Sequence, residues 1–348
     1  MKIGNLDIGK RVLLAPMAEI TDTPFRTIAK KYGAGLTFTQ MVSAKGVIEN
    51  NFDTLRLLAF SRNEKPIGAQ ILGNDPEIVG RAVVDISKYN PDVIDLNAGC
   101  PVSKVTSNNF GASIMEDTGL LGKLIASMSK HSRNVPVSIK LRLGWNKNKI
   151  SILDNAKAAE DNGASMIIVH ARTRDTRYNE LPHWEWLAKV KEAVKIPVIG
   201  NGSLFEPQDI HSMLEKTGCD SAMIARGALG NPFLFKRYNE FVQTGEDPGM
   251  PGIEELKNTV IEHINLAVKD AGENIGIKKV KKHVIWYFRH HKGTDEIIKN
   301  IFAIDSASEL IEFVESHCEK IESGVFEDYK SKYTLENFNR KVQYWLED

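Results

Sequence analysis

Eight short aliphatic or β-branched runs lie between residues 11 and 224, each followed by a polar or Gly-bearing loop and a longer amphipathic stretch. They predict a (β/α)8 TIM barrel with a small C-terminal all-α domain. Two further observations favour a closed barrel over a doubly wound open sheet, the runner-up. The units fit the about 250 residues such a barrel takes, and polar residues recur where the runs end, on the face that carries barrel active sites.

The strands are expected at 11–14, 36–39, 67–70, 93–97, 137–141, 166–170, 198–200 and 221–224. Their ends present Pro16 and Met17, then Gln40, Gln70, Asn97 with Cys100, Lys140 with Arg142, His170 with Arg172, Asn201, and Arg226. A helical pattern at 233–244 closes a barrel domain of residues 1–245. The Pro/Gly-rich segment 246–252 reads as a linker, and 253–348 has helical spacing broken only at 271–274, Gly293-Thr294 and Gly324.

Bulk composition narrows the class. Of 348 residues 42% are hydrophobic, ample for a full core, and 45 basic residues balance 45 acidic ones. A nucleic-acid partner would therefore need a local patch. Three widely spaced cysteines, Cys100, Cys219 and Cys318, fit neither a disulfide framework nor a zinc cluster. With no signal-peptide core and no apolar run of membrane-spanning length, a soluble cytoplasmic protein is expected, acting as a monomer without membrane or metal.

Within Asp95-Leu96-Asn97-Ala98-Gly99-Cys100-Pro101, a thiol stands between a Gly and a Pro where a strand ends, so Cys100 should be displayed rather than used as core filler. Spacing leaves nucleophile and proton donor both open. The Gly-bearing loops Gly200-Asn201-Gly202-Ser203 and Ala225-Arg226-Gly227 follow the last two strands, where barrels commonly hold a phosphate. Lys140 should point into the mouth if Ile139 and Leu141 face the helices, and it needs an anionic partner: a reduced flavin or a barrel carboxylate. His170 could bond a cofactor, bind a metal or cap its strand. No His-x-x-x-His stands near it, which argues against a metal. Residues 277–292 contain no acid, and helical spacing puts Val280, Val284 and Phe288 inward with Lys278, Lys281, Lys282 and Arg289 outward, a face suited to phosphates.

Together these segments resemble the tRNA-dihydrouridine synthase family, closest to its bacterial B-type branch. The matching stretches are Leu14-Ala15-Pro16-Met17-Ala18 with Thr21-Asp22, Gln70 with Gly73, Asp95 to Pro101, Ile139-Lys140-Leu141-Arg142, Val169-His170-Ala171-Arg172-Thr173-Arg174, Gly200-Asn201-Gly202, Ala225-Arg226-Gly227, and Lys282-His283 through Tyr287. The resemblance implies an FMN barrel and a helical tRNA-binding domain. Pro16, Met17, Ala18 and Gln70 would frame the isoalloxazine, and Lys140 and His170 would contact its ring or ribityl edge. Asn201, Gly202, Ser203, Ala225 and Arg226 would hold the phosphate. Asn97, Arg142, Arg172 and Arg174 would hold uracil or neighbouring phosphates. The implied reaction reduces uridine in tRNA: NADPH reduces FMN, hydride goes to C6, and Cys100 as general acid protonates C5. Ala98, Ala171 and Ser203 depart from the family's usual Met, Gly and Asp. A flavin dehydrogenase acting on a free pyrimidine, of dihydroorotate type, and a non-catalytic tRNA-binding module are the alternatives.

Overall fold

The computed structural model describes residues 1–326, so 327–348 of the expected helical domain lie outside the described residues. All eight expected strands form: β1 (Leu13–Leu14), β2 (Thr37–Phe38), β3 (Ile67–Leu72), β4 (Val93–Ala98), β5 (Val137–Arg142), β6 (Met166–His170), β7 (Val198–Asn201) and β8 (Ser221–Ile224). They pair in parallel in the order β1-β8-β7-β6-β5-β4-β3-β2. A parallel bridge between Leu13 and Leu36 closes the ring, with the Leu14 amide donating to the Leu36 carbonyl at 2.9 Å. An additional short strand, Val42–Ser43, also pairs with β3.

Alternation along each strand sorts the side chains. On β5, Ile139 and Leu141 pack outward among the helices, and on β4 Ile94, Leu96 and Ala98 do the same. The inward set starts with a separate apolar plug: Leu13, Phe38, Val93, Met166, Ile168, Ile199 and Met223, met from below by Ile3 and Ile8 of an N-terminal hairpin that the sequence reading did not foresee. Above the plug the inward positions turn polar. Parallel register places Gln70 beside Asp95, Asp95 beside Ser138, Asn97 beside Lys140, Arg142 beside His170, and His170 beside Asn201.

The surrounding helices start where their caps dictate. Asp22 caps α1 (Thr23–Lys31) by accepting from the Phe25 amide, and Asp75 caps α2 (Pro76–Ser87) by accepting from Glu77 and Ile78. Asp117 caps α3 (Thr118–His131). Next come α4 (Ile152–Asp161), α5 (Glu185–Ala193), α6 (Pro207–Thr217) and α7 (Phe233–Thr244); left-handed glycines, Gly218 and Gly245, end the last two.

Segment 246–252 is pinned rather than loose: Arg237 on α7 donates to both carboxylate oxygens of Asp247 and to Glu206. Beyond it, α8 (Ile253–Ala271) and α9 (Glu273–Tyr287) form a close hairpin, followed by α10 (Thr294–Asn300) and α11 (Ala307–Glu322). Turns fall at the expected Gly272, Gly293 and Gly324, all with positive φ. The outer apolar cluster runs without a break from the barrel helices into Leu256, Val260, Val284 and Tyr287.

Among the contacts that seat α8 and α9 on the barrel, two stand out. Tyr32 beside α1 shares a 2.7 Å hydrogen bond with Thr259 on α8. Gly230 (φ 61°), after β8, lies so close to α9 that a Cβ there would fall 2.0 Å from the Trp286 backbone carbon. Gly230→Ala should therefore cost about 3 kcal/mol from overlap and left-handed strain together. Denaturant unfolding measures it, and an unchanged midpoint would show that α9 does not rest there.

Candidate active site

A cleft of about 880 Å³ opens over the C-terminal ends of the strands, walled on the far side by α9. Pro16, Met17, Ala18, Gln70, Asn97, Cys100, Lys140, Arg142, His170, Asn201, Gly202, Ser203, Ala225 and Arg226 all border it, joined from the helices by Lys278, Lys281 and Lys282. Residues spread over more than two hundred positions of sequence meet because every strand ends at this face.

Under the floor lies a wholly buried carboxylate, Asp95. It accepts from Gln70 Nε2 at 2.8 Å and from the Ser138 hydroxyl at 2.6 Å. Burial raises its pKa to about 6 against those two bonds and the field of Lys140. Asn97 Nδ2 donates to Gln70 Oε1 at 2.9 Å, and Asn97 Oδ1 accepts from the amides of Gly99 (3.2 Å) and Cys100 (3.0 Å). Cys100 is thus fixed through its own backbone, and its half-buried side chain faces the cleft.

Burial pushes the Cys100 thiol above its ordinary pKa, against the Val102 amide, Arg142 and Lys140, which pull the other way. Sequence left nucleophile and acid both open; this direction favours a thiol that holds its proton at neutral pH. Lys140 moves oppositely, to about 8, through burial and then the like charge of Arg142. Its Nζ makes no hydrogen bond and no ion pair among the described residues, while the two oxygens of Asp95 accept from Gln70 and Ser138. The barrel-carboxylate partner considered for Lys140 is therefore not a direct ion pair.

His170 is held in one tautomer. Arg172 Nη1, which can only donate, lies 3.2 Å from His170 Nε2, so that nitrogen accepts and Nδ1 carries the proton. Burial and the charges of Arg142, Lys140, Arg172 and Arg226 hold the ring's pKa well below its ordinary value. Nearby, Gly202 adopts φ 142° and Ser203 φ 53°, and a Cβ on Gly227 would meet the Leu204 carbonyl at 2.0 Å. This tight corner carries Arg226, whose guanidinium stacks over Tyr178 at 4.5 Å.

Several expected roles change. Arg172 is buried and outside the cleft lining: it donates to the carbonyls of Tyr178 and Glu180 and to the Ser203 hydroxyl, folding the 171–182 loop back on itself. Arg174 lies over Trp145 at 4.6 Å, also outside the lining. Arg142 borders the cleft, yet its donors brace the carbonyls of Gly99 and Thr173 at 2.9 Å each.

The outward placement of Lys281 and Arg289 is corrected. Both are buried: Lys281 because α9 is packed on two sides rather than one, and Arg289 because α9 ends at Tyr287 and the chain turns before it. Lys281 Nζ reaches the Phe302 carbonyl (3.3 Å) and Asp305 (3.6 Å), and Arg289 Nη2 braces the Gly227 carbonyl from behind at 3.5 Å. Lys278 is exposed as expected, and half-buried Lys282 donates to the Glu19 carbonyl. Spacing gave no sign of Met41, Lys104, Tyr178, Phe205 or Phe302, which also line the cleft.

Among the described residues one group could offer three metal ligands: Asp22, His263 and His283, with atoms within 4.8 Å of one another where α1 meets α8 and α9. Asp22 already caps α1 and lies in the positive field of Arg26 and Lys279, which weakens its case as a ligand.

The sequence model of the family described as Dihydrouridine synthase (Dus) matches residues 13–323. The chain belongs to the dihydrouridine synthase family. A "Probable tRNA-dihydrouridine synthase" of Rickettsia conorii is 35% identical over 288 residues, 82% of this chain and 87% of that one. The "tRNA-dihydrouridine synthase B" of Pectobacterium carotovorum is 33% identical over 322 residues, covering 92% and 100%. Solved structures similar in fold include histamine dehydrogenase from a Rhizobium species (TM-score 0.54, 14% identity, 76% of this chain and about half of that one). Morphinone reductase is another (TM-score 0.52, 12% identity, 69% and 89%). At such identities they show the barrel fold alone. No helix of the described residues is long and apolar enough to cross a membrane.

The site geometry of this dihydrouridine synthase family member sets an expectation for its thiol. Alkylation of Cys100 by iodoacetamide, followed by peptide mass, should be slow at neutral pH and still climbing past pH 9, its ordinary value. A plateau below that pH would contradict a protonated resting thiol.

Proposed function

We propose that the protein is a B-type tRNA-dihydrouridine synthase that reduces uridine in tRNA to 5,6-dihydrouridine, with FMN at the barrel mouth and NADPH as reductant. The observation that carries this is the meeting, in one cleft, of a thiol that burial keeps protonated, a half-buried lysine with no hydrogen bond on its ammonium among the described residues, and a glycine-bearing corner, all facing a helix that bears lysines. The names of the curated relatives support the substrate.

The residues present fit FMN. Gly202 (φ 142°) and Ser203 (φ 53°) turn the backbone tightly at the cleft edge beside Gly227, where backbone amides would meet a phosphate, and Asn201, Ala225 and Arg226 complete the corner. Lys140 would neutralise the negative charge of a reduced ring, and His170 would offer its Nδ1 proton. Pro16, Met17, Ala18 and Gln70 line the adjoining wall. When bound, the flavin supplies the hydride that adds to C6 of the uracil.

The chain's own residues supply the rest. The Cys100 S–H gives its proton to C5, and the thiolate left behind, in the fields of Arg142 and Lys140, regains one from solvent. Asn97 stands beside the thiol with both its polar atoms engaged, so it orients the turn and borders the uracil. A base must leave its stack to enter the cleft. Lys104 and Lys278 at the cleft edge suit the flanking phosphates, and exposed Phe302 offers a stacking face. Residues 253–348 would form the tRNA-binding domain. These lysines speak against the free-pyrimidine alternative, since a small neutral substrate gains little from them.

Cys100→Ala should lower uridine reduction about 10²- to 10⁴-fold while flavin stays bound and NADPH still bleaches it. Unchanged turnover would sink the assignment of the acid. Lys278→Glu combined with Lys104→Glu should weaken tRNA binding and reduce the salt slope by about 2. A slope equal to that of the unsubstituted protein would remove the patch from the account. Truncation after residue 252 is a poorer test, because it would also uncover the apolar cluster that α8 and α9 share with the barrel.

A further inference from the structure

We infer that Asp95 is a positioning residue: its negative charge fixes the direction of a hydrogen-bond chain, through Gln70 and Asn97, that ends on the backbone amide of Cys100. The inference deepens the proposed reduction and rests on it for its catalytic meaning.

The two amide side chains could in principle face either way, since their oxygen and nitrogen have the same shape. Here both ends of the chain are chemically one-way. The amides of Gly99 and Cys100 can only donate, so Asn97 must turn its oxygen to them. Its nitrogen then points to Gln70, which must present oxygen and direct its own nitrogen at Asp95. A carboxylate can only accept, and Ser138 donates to its other oxygen, so the chain closes without a mismatch. The dipoles align head to tail, the arrangement in which neighbouring hydrogen bonds strengthen one another.

Reversal would set the Asn97 NH2 group against two backbone N–H groups and release the turn that presents the thiol. A neutral Asp95 removes the bar to reversal, because a protonated acid or an amide can donate to Gln70. The charge is kept at a cost to the fold. Because burial raises the carboxyl to about 6 when folded against 3.8 otherwise, the native state binds more protons between those values. Stability therefore falls as pH rises through that window, and the penalty is present in full above it. Lys140 is the cation whose field offsets part of it. An ion retained under such a penalty, with its partners leading to the reacting thiol, serves position rather than stability.

The test uses the full-length holoprotein carrying Asp95→Asn, with Ser138→Ala as the control that leaves the Asp95–Gln70 bond in place. Asp95→Asn should retain flavin and its reduction by NADPH, with a melting temperature at neutral pH no lower than that of the unsubstituted protein. Its uridine reduction should fall on the order of 10- to 100-fold, the cost of a misplaced reacting group, and its Cys100 iodoacetamide rate should change several-fold. Ser138→Ala should stay near the unsubstituted protein in both. Normal alkylation and turnover in Asp95→Asn, or equal losses in the two variants, would overturn the inference. The alkylation comparison stands even if the unsubstituted protein reduces no uridine, so failure of the functional reading is separable. Should Asp95→Asn not fold, neutron diffraction on the unsubstituted protein decides. Deuterium on the Gln70 nitrogen facing Asp95 supports the chain, and deuterium between Asp95 and the Gln70 oxygen refutes it.

Discussion

The chemistry at the barrel mouth depends on parallel register. Five adjacent strands, β3 to β7, carry polar residues at the inward positions above the plug, and neighbours along the hydrogen-bonded ladder become neighbours in the site: Gln70 with Asp95, Asn97 with Lys140, His170 with Asn201. A slip of one residue would send these groups outward among the helices and bring Ile94, Leu96 and Ile139 inside. The apolar plug below, from Leu13 to Met223, and the hairpin residues Ile3 and Ile8 beneath it keep water from the underside. Charges at Asp95 and Lys140 therefore act in a poorly screened interior, which is why both are displaced toward neutrality.

A second constraint is the close approach of α9. Gly230 permits it, the continuous apolar cluster holds it, and Arg289 reaches from behind to the Gly227 carbonyl in the glycine-rich corner. The helix therefore serves two sides. One is buried against the barrel and its helical neighbours, and the other presents lysines to the cleft. The corner that would receive a phosphate and the wall that would receive tRNA are mechanically joined through a single helix.

Much of this was legible in the sequence, for identifiable reasons. The eight strands and the displayed Cys100 follow from apolar runs that stop at Gly, Pro or a polar residue, a signal local enough to read. The lysine-bearing helix was also found, with Val280 and Val284 inward and Lys278 outward as its spacing says; Lys281 was misplaced because a single 3.6-residue stripe describes a helix buried on one side, and Arg289 because the helix ends at Tyr287, before it. Arg172 and Arg174 were expected as substrate contacts on the family resemblance of the 169–174 run; only the fold shows that the 171–182 loop turns back and that Arg172 ties its carbonyls. The N-terminal hairpin has two-residue strands, too short for any alternation to register. Tyr178 lies in a loop where spacing carries no information about which rings and guanidiniums will stack.

The most direct measurement is anaerobic. The purified protein, loaded with flavin and bleached by NADPH, is mixed in a stopped-flow instrument with tRNA that carries unmodified uridine. The account predicts that oxidised-flavin absorbance returns promptly, in a one-to-one ratio with uridines that gain two hydrogens by mass, and that free uridine does not substitute. Reoxidation by tRNA no faster than in buffer, or equally fast with free uridine, would contradict it.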